Sequence, residues 1–379
     1  MSGREIEVEW NGRRVRAWVP EPLSARDLRL SETTVRATER AIALARRGSD
    51  ELPERWEALA RLLLRSEGVA SSYIEGIRAP LAEVAAAELD PTIGEPASWV
   101  ADNLAVVRTA VEEARGNPLE LESLNGWHRR LMAGATHLPQ RLIGFPRDVP
   151  GWIGGTSPLD AALVTPPPEH ITALLSDLVS FVNRSDIDAV TQAAVAHAQF
   201  EVVHPYADGN GRVGRVLVAW VLTRRLELFT PPPVSVRMAA DRGGYLSGLT
   251  LWRLGDTDSW VRWFAGVVSG AGEATINLIG AVYELQQRWA ERLGGLRTDA
   301  AARRVLHLLP EHPVLAANTV AESLGISERA GRSALETLST HRVVEPFEAR
   351  RQETGRPRQW WVARELIDLL GAWSGAPPA

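Results

Sequence analysis

The spacing of apolar positions predicts a chain that is helical over most of its length. Near its start, two alternating runs, Ile6-Glu7-Val8-Glu9-Trp10 and Val15-Arg16-Ala17-Trp18-Val19, flank Asn11-Gly12 and predict one strand pair closed by a tight turn. After Pro22 the period lengthens to that of a helix. Apolar residues recur at helix spacing over residues 26–47, where Gly48 marks a stop, over 53–64, and in a further segment over 66–77. Pro91, Gly94 and Pro96 then break the chain before a helix at about 98–114, whose face carries Val100, Leu104, Val107 and Val111. Helices are expected near 119–132, 171–183 and 189–201. Between the first two of these lies a Gly/Pro-rich segment, 134–168, which reads as a functional loop or small hairpin. A last helix of this group begins near Asn210 or Gly211. Its residues Val213, Val216, Leu217, Trp220 and Val221 form a stripe that core packing explains.

Beyond about residue 276 the pattern changes. A helix over 299–309 leads to a short and then a longer helix, with Asn318 and Ser327 as N-caps and Gly325 at the turn between them. Two strand-like runs, 343–347 and 359–362, flank an arginine-rich turn, the order of a winged helix-turn-helix. Arg329, Arg332, Arg350, Arg351, Arg356 and Arg358 suit phosphate contacts there, but many such domains contact proteins instead, so DNA is left open as a partner. The expected division is 1–115, 116–275 and 276–379.

Composition narrows the chemistry. A 379-residue chain that is 45% hydrophobic supports more than one core, and a net charge of −5 supplies no overall basic field for nucleic acid. There is no cysteine, which removes disulfides and thiolate chemistry. All 42 basic residues are arginine, which removes lysine Schiff bases and P-loop lysines. The N-terminus has no signal-like apolar stretch and no apolar run approaches the length of a spanning helix, so the expectation is a cytoplasmic protein with no membrane partner.

The densest chemistry is His204-Pro205-Tyr206-Ala207-Asp208-Gly209-Asn210-Gly211-Arg212-Val213-Gly214-Arg215. Its glycines, Gly209, Gly211 and Gly214, let backbone N–H groups approach a phosphate. The helix start adds a partial positive charge, and Arg212 and Arg215, three apart, add two full ones. Asp208 suits a magnesium ion, which takes one or two carboxylates plus substrate phosphates. His204 is the one side chain in the run suited to accept a proton near neutral pH. His128, His137, His170, His197, His307, His312 and His341 show no i, i+4 pair and read as ordinary surface or core residues, with no zinc site.

This run resembles the signature of the Fic family, HxFx[D/E]GNGRxxR. His204, Asp208, Gly209, Asn210, Gly211, Arg212 and Arg215 match, Pro205 is the usual residue at its variable place, and Tyr206 departs from the usual phenylalanine. An added hydroxyl at this core anchor needs a partner. Gly144-Phe145-Pro146-Arg147, Trp152-Ile153-Gly154 and Thr165-Pro166-Pro167-Pro168 resemble the family's flap, which positions a target segment beside the nucleotide. Ser71-Ser72-Tyr73-Ile74-Glu75-Gly76 resembles its inhibitory helix motif, [S/T]xxxE[G/N], through Ser71, Glu75 and Gly76.

The resemblance implies a mainly α fold, a helical core with a small β-hairpin flap, to which the winged helix is appended. It implies transfer of AMP from Mg-ATP to a Ser, Thr or Tyr hydroxyl of a target protein. His204 is then the base, Asp208 the Mg2+ ligand, and Gly209, Asn210, Gly211, Arg212 and Arg215 the phosphate cradle. Glu75 would hold activity down by pairing with Arg215. The competing expectations are a DNA-binding regulator whose central domain senses nucleotide, and net removal of AMP. A second copy of the chain is left open as a partner.

Overall fold

The computed structural model describes residues 3–52, 57–297, 299–350 and 358–374. In chain order the elements are β1 (Gly3–Trp10), β2 (Arg13–Pro20), α1 (Glu32–Asp50), α2 (Glu57–Ile74), α3 (Leu81–Ala87), α4 (Ala97–Glu113), α5 (Leu121–Leu131), β3 (Trp152–Ile153), β4 (Leu163–Val164), α6 (Pro168–Val182), α7 (Ala189–Val203) and α8 (Asn210–Leu226). They continue with α9 (Val234–Ala240), α10 (Arg242–Arg253), α11 (Thr257–Arg292), α12 (Ala301–Leu306), β5 (Val314–Ala316), α13 (Ala317–Leu324), α14 (Glu328–Thr340), β6 (Glu345–Phe347), β7 (Trp360–Val362) and α15 (Arg364–Ser374). The fold is mainly α, and its strands make only small sheets. Two compact units arise: Met1–Arg46 with Ala105–Gly272, and Arg47–Leu104 with Glu273–Ala379.

In the first unit, α7 is buried along its whole length because every surface is covered. Asp188 starts it, accepting the N–H groups of Val190 and Thr191 at 3.1 and 2.9 Å. Its neighbours include α8, the apolar face of α6 (Ile171, Leu175, Leu178) and the first turns of α11, where Trp260 donates its indole N–H to the Ala194 carbonyl at 2.8 Å. The expected strand pair forms over β1 and β2, with Asn11 and Gly12 both at positive φ (49° and 74°), as a two-residue hairpin turn demands. Val15 and Ala17 of β2 are buried against Val164 of β4, so this hairpin backs the small β3/β4 hairpin. Helix α1 begins at Glu32 and not near 26. The Asp258 carboxylate accepts the Ser31 N–H at 2.6 Å and the Thr34 hydroxyl at 3.0 Å, fixing the helix start there. Gly48 does not end α1, since one helical glycine costs only about 1 kcal/mol.

The second unit has one apolar cluster drawn from α2, α3, the start of α4, the end of α11 and the elements after residue 300. The predicted segments 53–64 and 66–77 are a single helix, α2, over the described residues; 53–56 fall outside them. Nothing in Leu64-Arg65-Ser66 breaks a helix, and Gly68 serves close packing, since a Cβ there would lie 2.8 Å from Leu104 Cδ1. The short α3 escaped the periodicity reading because its seven residues span two turns. Helix α12, β5, α13, α14, β6 and β7 follow, with antiparallel strands in the order β5-β7-β6. Gly325 closes α13 at φ 64° and Ser327 caps α14. Asn318 is not the cap expected of it: α13 starts at Ala317, and the side-chain Oδ1 of Asn318 accepts from Arg358.

One helix, α11, does have the length and apolar composition of a membrane span, contrary to the sequence expectation. Its apolar residues are taken up by packing: Trp260, Val261 and Phe264 are buried in the first unit, and Leu278, Val282 and Trp289 in the second.

Candidate active site

The loop between α7 and α8 carries the site. His204 terminates α7 in the left-handed conformation (φ 48°, ψ 60°), its N–H bonded to the Phe200 carbonyl at 2.9 Å. Its Nδ1 lies 3.3 Å from the Glu201 carbonyl. Since a carbonyl only accepts, Nδ1 carries the proton in the neutral ring and Nε2 is the basic nitrogen. Gly209, at φ 76°, turns the chain into α8, where a side chain would strain the backbone and sit 3.0 Å from Met132 Sδ.

The first two turns of α8 carry Asn210, Gly211, Arg212 and Arg215. Asn210 is 2% exposed, and its amide accepts the Tyr206 N–H and donates to the Tyr206 carbonyl, both at 2.8 Å. Its side chain therefore braces the loop, leaving its backbone N–H as its natural contribution to an anion. Arg212 and Arg215 are both buried, an arrangement that charges tolerate only with partners. Gly214 faces α7: a Cβ would stand 2.4 Å from Glu201 Oε1 and 3.1 Å from His197 Nδ1. Its smallness serves helix packing.

Tyr206 is fully buried, and its hydroxyl donates to Asn125 Oδ1 at 3.0 Å, the partner the sequence called for. Replacing Tyr206 with Phe is expected to cost about 1 kcal/mol, because Asn125 is left with an unmet acceptor, and to leave loop chemistry intact. A urea unfolding curve checks the first point.

Two further histidines, His128 and His137, lie against Asp208. The His128 ring stacks on Tyr206 at 4.0 Å, takes the Gly144 N–H on Nδ1 at 2.9 Å and lies 3.1 Å from the Asp208 carbonyl through Nε2. Burial holds it neutral, its pKa pushed down to about 4, with the charges of Arg212 and Arg129 adding to the shift. His137 Nε2 lies 2.9 Å from Asp208 Oδ2, while Oδ1 accepts the Gly209 N–H at 2.6 Å. Burial alone would raise the Asp208 carboxyl, but these hydrogen bonds and Arg212 bring it below the usual carboxylate value. His128 lies on the buried stripe Leu124, Trp127, His128, Leu131, a polar residue in an apolar row that the sequence could have flagged. His137 lies in an irregular loop and gives no such signal.

His197 is likewise fully buried, with Nε2 2.8 Å from the Tyr245 hydroxyl and a pKa pushed down to about 3 by burial and Arg215. Both rings are neutral when folded and bind protons more readily when unfolded. Stability is thus fully present above about pH 6.5 and is lost as pH falls through that value toward 4. His128 alone accounts for about 3 kcal/mol. Urea midpoints between pH 7 and 4 should fall, and His128→Asn should flatten the fall.

The flap is the antiparallel pair β3/β4, with Trp152 opposite Val164 and Ile153 opposite Leu163. Its tip is ordered by Asp160, whose carboxylate accepts from the backbone and hydroxyls of Thr156 and Ser157 at 2.7–3.0 Å. At its base Arg147, 3% exposed, donates to four acceptors.

Ser71, Glu75 and Gly76 belong to the second unit. Gly76, at φ 82°, ends α2 in a Schellman turn: its N–H reaches the Tyr73 carbonyl at 3.0 Å and the Ile77 N–H the Ser72 carbonyl at 3.1 Å. Asn103 anchors this end of the helix, donating to the Gly68 carbonyl at 2.9 Å and Ser72 Oγ at 3.2 Å.

A glycine-turned loop between two buried helices, with a histidine at its head and a hairpin beside it, defines a helical fold built around one motif. Residues 118–222 match the model of the Fic/DOC family. That segment of the chain is similar to the Fic/DOC family. It is 29% identical over 150 residues to protein adenylyltransferase fic-1 of Caenorhabditis elegans, covering 39% of this chain and 27% of that protein. It is 43% identical over 58 residues to a probable protein adenylyltransferase of Aquifex aeolicus, covering 15% and 18% respectively. The chain thus matches well under a third of the length of these relatives. A Fic family protein from Desulfovibrio desulfuricans G20 shares the fold over 89% of this chain and 97% of its own, with a TM-score of 0.55 at 20% identity. Fic-1 from C. elegans does so over 65% and 74%, with a TM-score of 0.51 at 20% identity.

Proposed function

We propose that the protein transfers AMP from ATP to a hydroxyl on a target protein. The observation that carries this reading is a histidine whose Nδ1 faces a carbonyl, so that Nε2 is the base, at the head of a loop that opens onto a helix N-terminus with Arg212 and Arg215 in its first turns. Nε2 of His204 takes the hydroxyl proton as the oxygen attacks the α-phosphorus. The bond from that phosphorus to the bridging oxygen breaks, and diphosphate leaves with the charge. Backbone N–H groups of the first turn and the two guanidiniums hold the phosphate oxygens. Adenylyltransferase activity in the named relatives supports the same reading.

Asp208 fits a magnesium ion: it is an ionised carboxylate, partly exposed, beside the helix start. One carboxylate, with no cluster of three or more acidic or histidine ligands among the described residues, is the donor set of an ion that takes its other ligands from phosphate and water. Such an ion, when bound, neutralises phosphate charge. His137 would give up its bond to Oδ2 or share that oxygen.

We further propose that Glu75 restrains the activity by competing for the place of the γ-phosphate on Arg215. Its position at a firm helix end, one residue before the Gly76 turn, supports a fixed carboxylate of low mobility cost.

The order α12-β5-α13-α14-β6-β7 supports a winged helix for the C-terminal elements. Three of its arginines have protein partners, while DNA stays the alternative partner. Arg350 lies 3.5 Å from Glu83, Arg358 3.9 Å from Asp90, and Arg332 donates to Gln359 at 2.9 Å. Arg329 is exposed, and Arg351 and Arg356 lie outside the described residues.

Incubation of the purified protein and a cell lysate with α-labelled or γ-labelled ATP and Mg2+ tests the main reading. Label from the α position alone supports AMP transfer. Label from the γ position, or none even in Glu75→Gly, overturns it.

A further inference from the structure

Arg147 sits where the flap meets the catalytic loop. Its Nε donates to the His204 carbonyl at 2.8 Å, and its own backbone N–H donates to the Pro205 carbonyl at 2.8 Å. Three further guanidinium donors go to the two stems of the flap. Nη1 reaches the Val149 carbonyl at 2.7 Å before β3, and Nη2 reaches Thr165 Oγ1 and the Pro166 carbonyl, both at 2.7 Å, after β4. The two stems are also joined directly by the Thr165 N–H on the Gly151 carbonyl at 3.1 Å. Space is reserved for this group: a Cβ on Gly151 would lie 2.6 Å from Arg147 Nε and 2.8 Å from Thr165 Oγ1.

His204 holds a left-handed backbone that a residue with a Cβ adopts only against a cost of about 1–2 kcal/mol, so something must over-determine it. The helix bond to Phe200 fixes the amide side of the residue; Arg147 fixes the carbonyl side and the next peptide. We infer that Arg147 is a positioning residue that locks the backbone of His204 and ties it to both stems of the flap, so that a target segment held by the flap meets a base already in register. Only a planar fork with its donors in fixed directions can span His204, Val149, Thr165 and Pro166 together; an ammonium cannot. The burial that pushes the Arg147 pKa down to about 10 still leaves it charged at neutral pH, so all these bonds are charge-assisted.

This inference rests on the proposed AMP transfer for its kinetic arm and stands apart from it in its structural arm. The variants are Arg147→Lys, Thr165→Val and the double variant, in the full chain. By amide exchange, each should speed exchange at the flap stems and at His204 and Tyr206 together, by about tenfold in Arg147→Lys. In the labelling assay Arg147→Lys should lower kcat by about 10- to 100-fold with KM for Mg-ATP unchanged. The double variant should fall no further, because Thr165 acts through Arg147. Faster exchange confined to the flap, an unchanged kcat, or additive losses overturn the inference. Should Arg147→Lys fail to fold, Thr165→Val alone still decides it through exchange at His204 and Tyr206. If the wild type transfers no AMP, the proposed reaction fails while the exchange result still accepts or rejects the coupling.

Discussion

Replacing His204 with Ala is expected to lower AMP transfer by about 10²- to 10⁴-fold, the range general base catalysis supplies, while Mg-ATP binding persists. The two effects separate because the parts proposed to hold the phosphates lie downstream of His204. They are the N–H groups at the start of α8, set by the Gly209 turn and the Asn210 brace, together with Arg212 and Arg215. His204→Asn is the sharper companion variant. Asparagine tolerates the left-handed backbone better than most residues, so it keeps the loop path while removing the base. Calorimetric titration with Mg-ATP and incorporation of α-label into target should therefore disagree: binding within a few-fold of wild type, transfer near background. Turnover retained in both variants would take His204 out of the mechanism. Binding lost in His204→Ala but kept in His204→Asn would show the loop backbone, not the ring, to be what alanine damages.

Much of this site is legible in the sequence because its chemistry is contiguous. Helix termini concentrate unpaired N–H groups, glycine permits the turn before them, and arginines three apart share a face; all of that follows from His204 to Arg215 as written. The fold class is legible for a related reason: long stretches with helical spacing such as α6, α7 and α8 bury their apolar residues as the pattern demands. What escaped reading is what depends on long-range contacts. Helix α1 starts where Asp258, more than two hundred residues away, accepts from Ser31 and Thr34. His137 meets Asp208 from an irregular loop, and Arg147 reaches His204 across 57 positions. No local periodicity encodes such meetings. Gly214, inside the same motif, has a packing part that spacing alone does not reveal: it lets α8 approach Glu201 and His197 on α7.

Glu75→Gly is expected to raise auto-modification by about 10- to 100-fold, the equivalent of removing one competing charge-assisted hydrogen bond from the place of a phosphate. The substitution is well suited to isolate the carboxylate. Residue 75 follows the last turn of α2, and the Schellman bonds of Gly76 and Ile77 to Tyr73 and Ser72 are made by backbone alone. Asn103 continues to hold Ser72 and Gly68, so the helix end survives the change. Glu75→Gln should give a smaller rise, since it loses charge but keeps shape and a hydrogen-bonding amide. In Glu75→Gly/His204→Ala the label should vanish, which assigns the released activity to the same base. Glu75→Gly no more active than wild type would remove the inhibitory role. If, in addition, a pre-labelled target lost AMP with wild type and kept it with Glu75→Gly, the carboxylate would be serving the reverse reaction, with Glu75 acting on water at the same phosphorus.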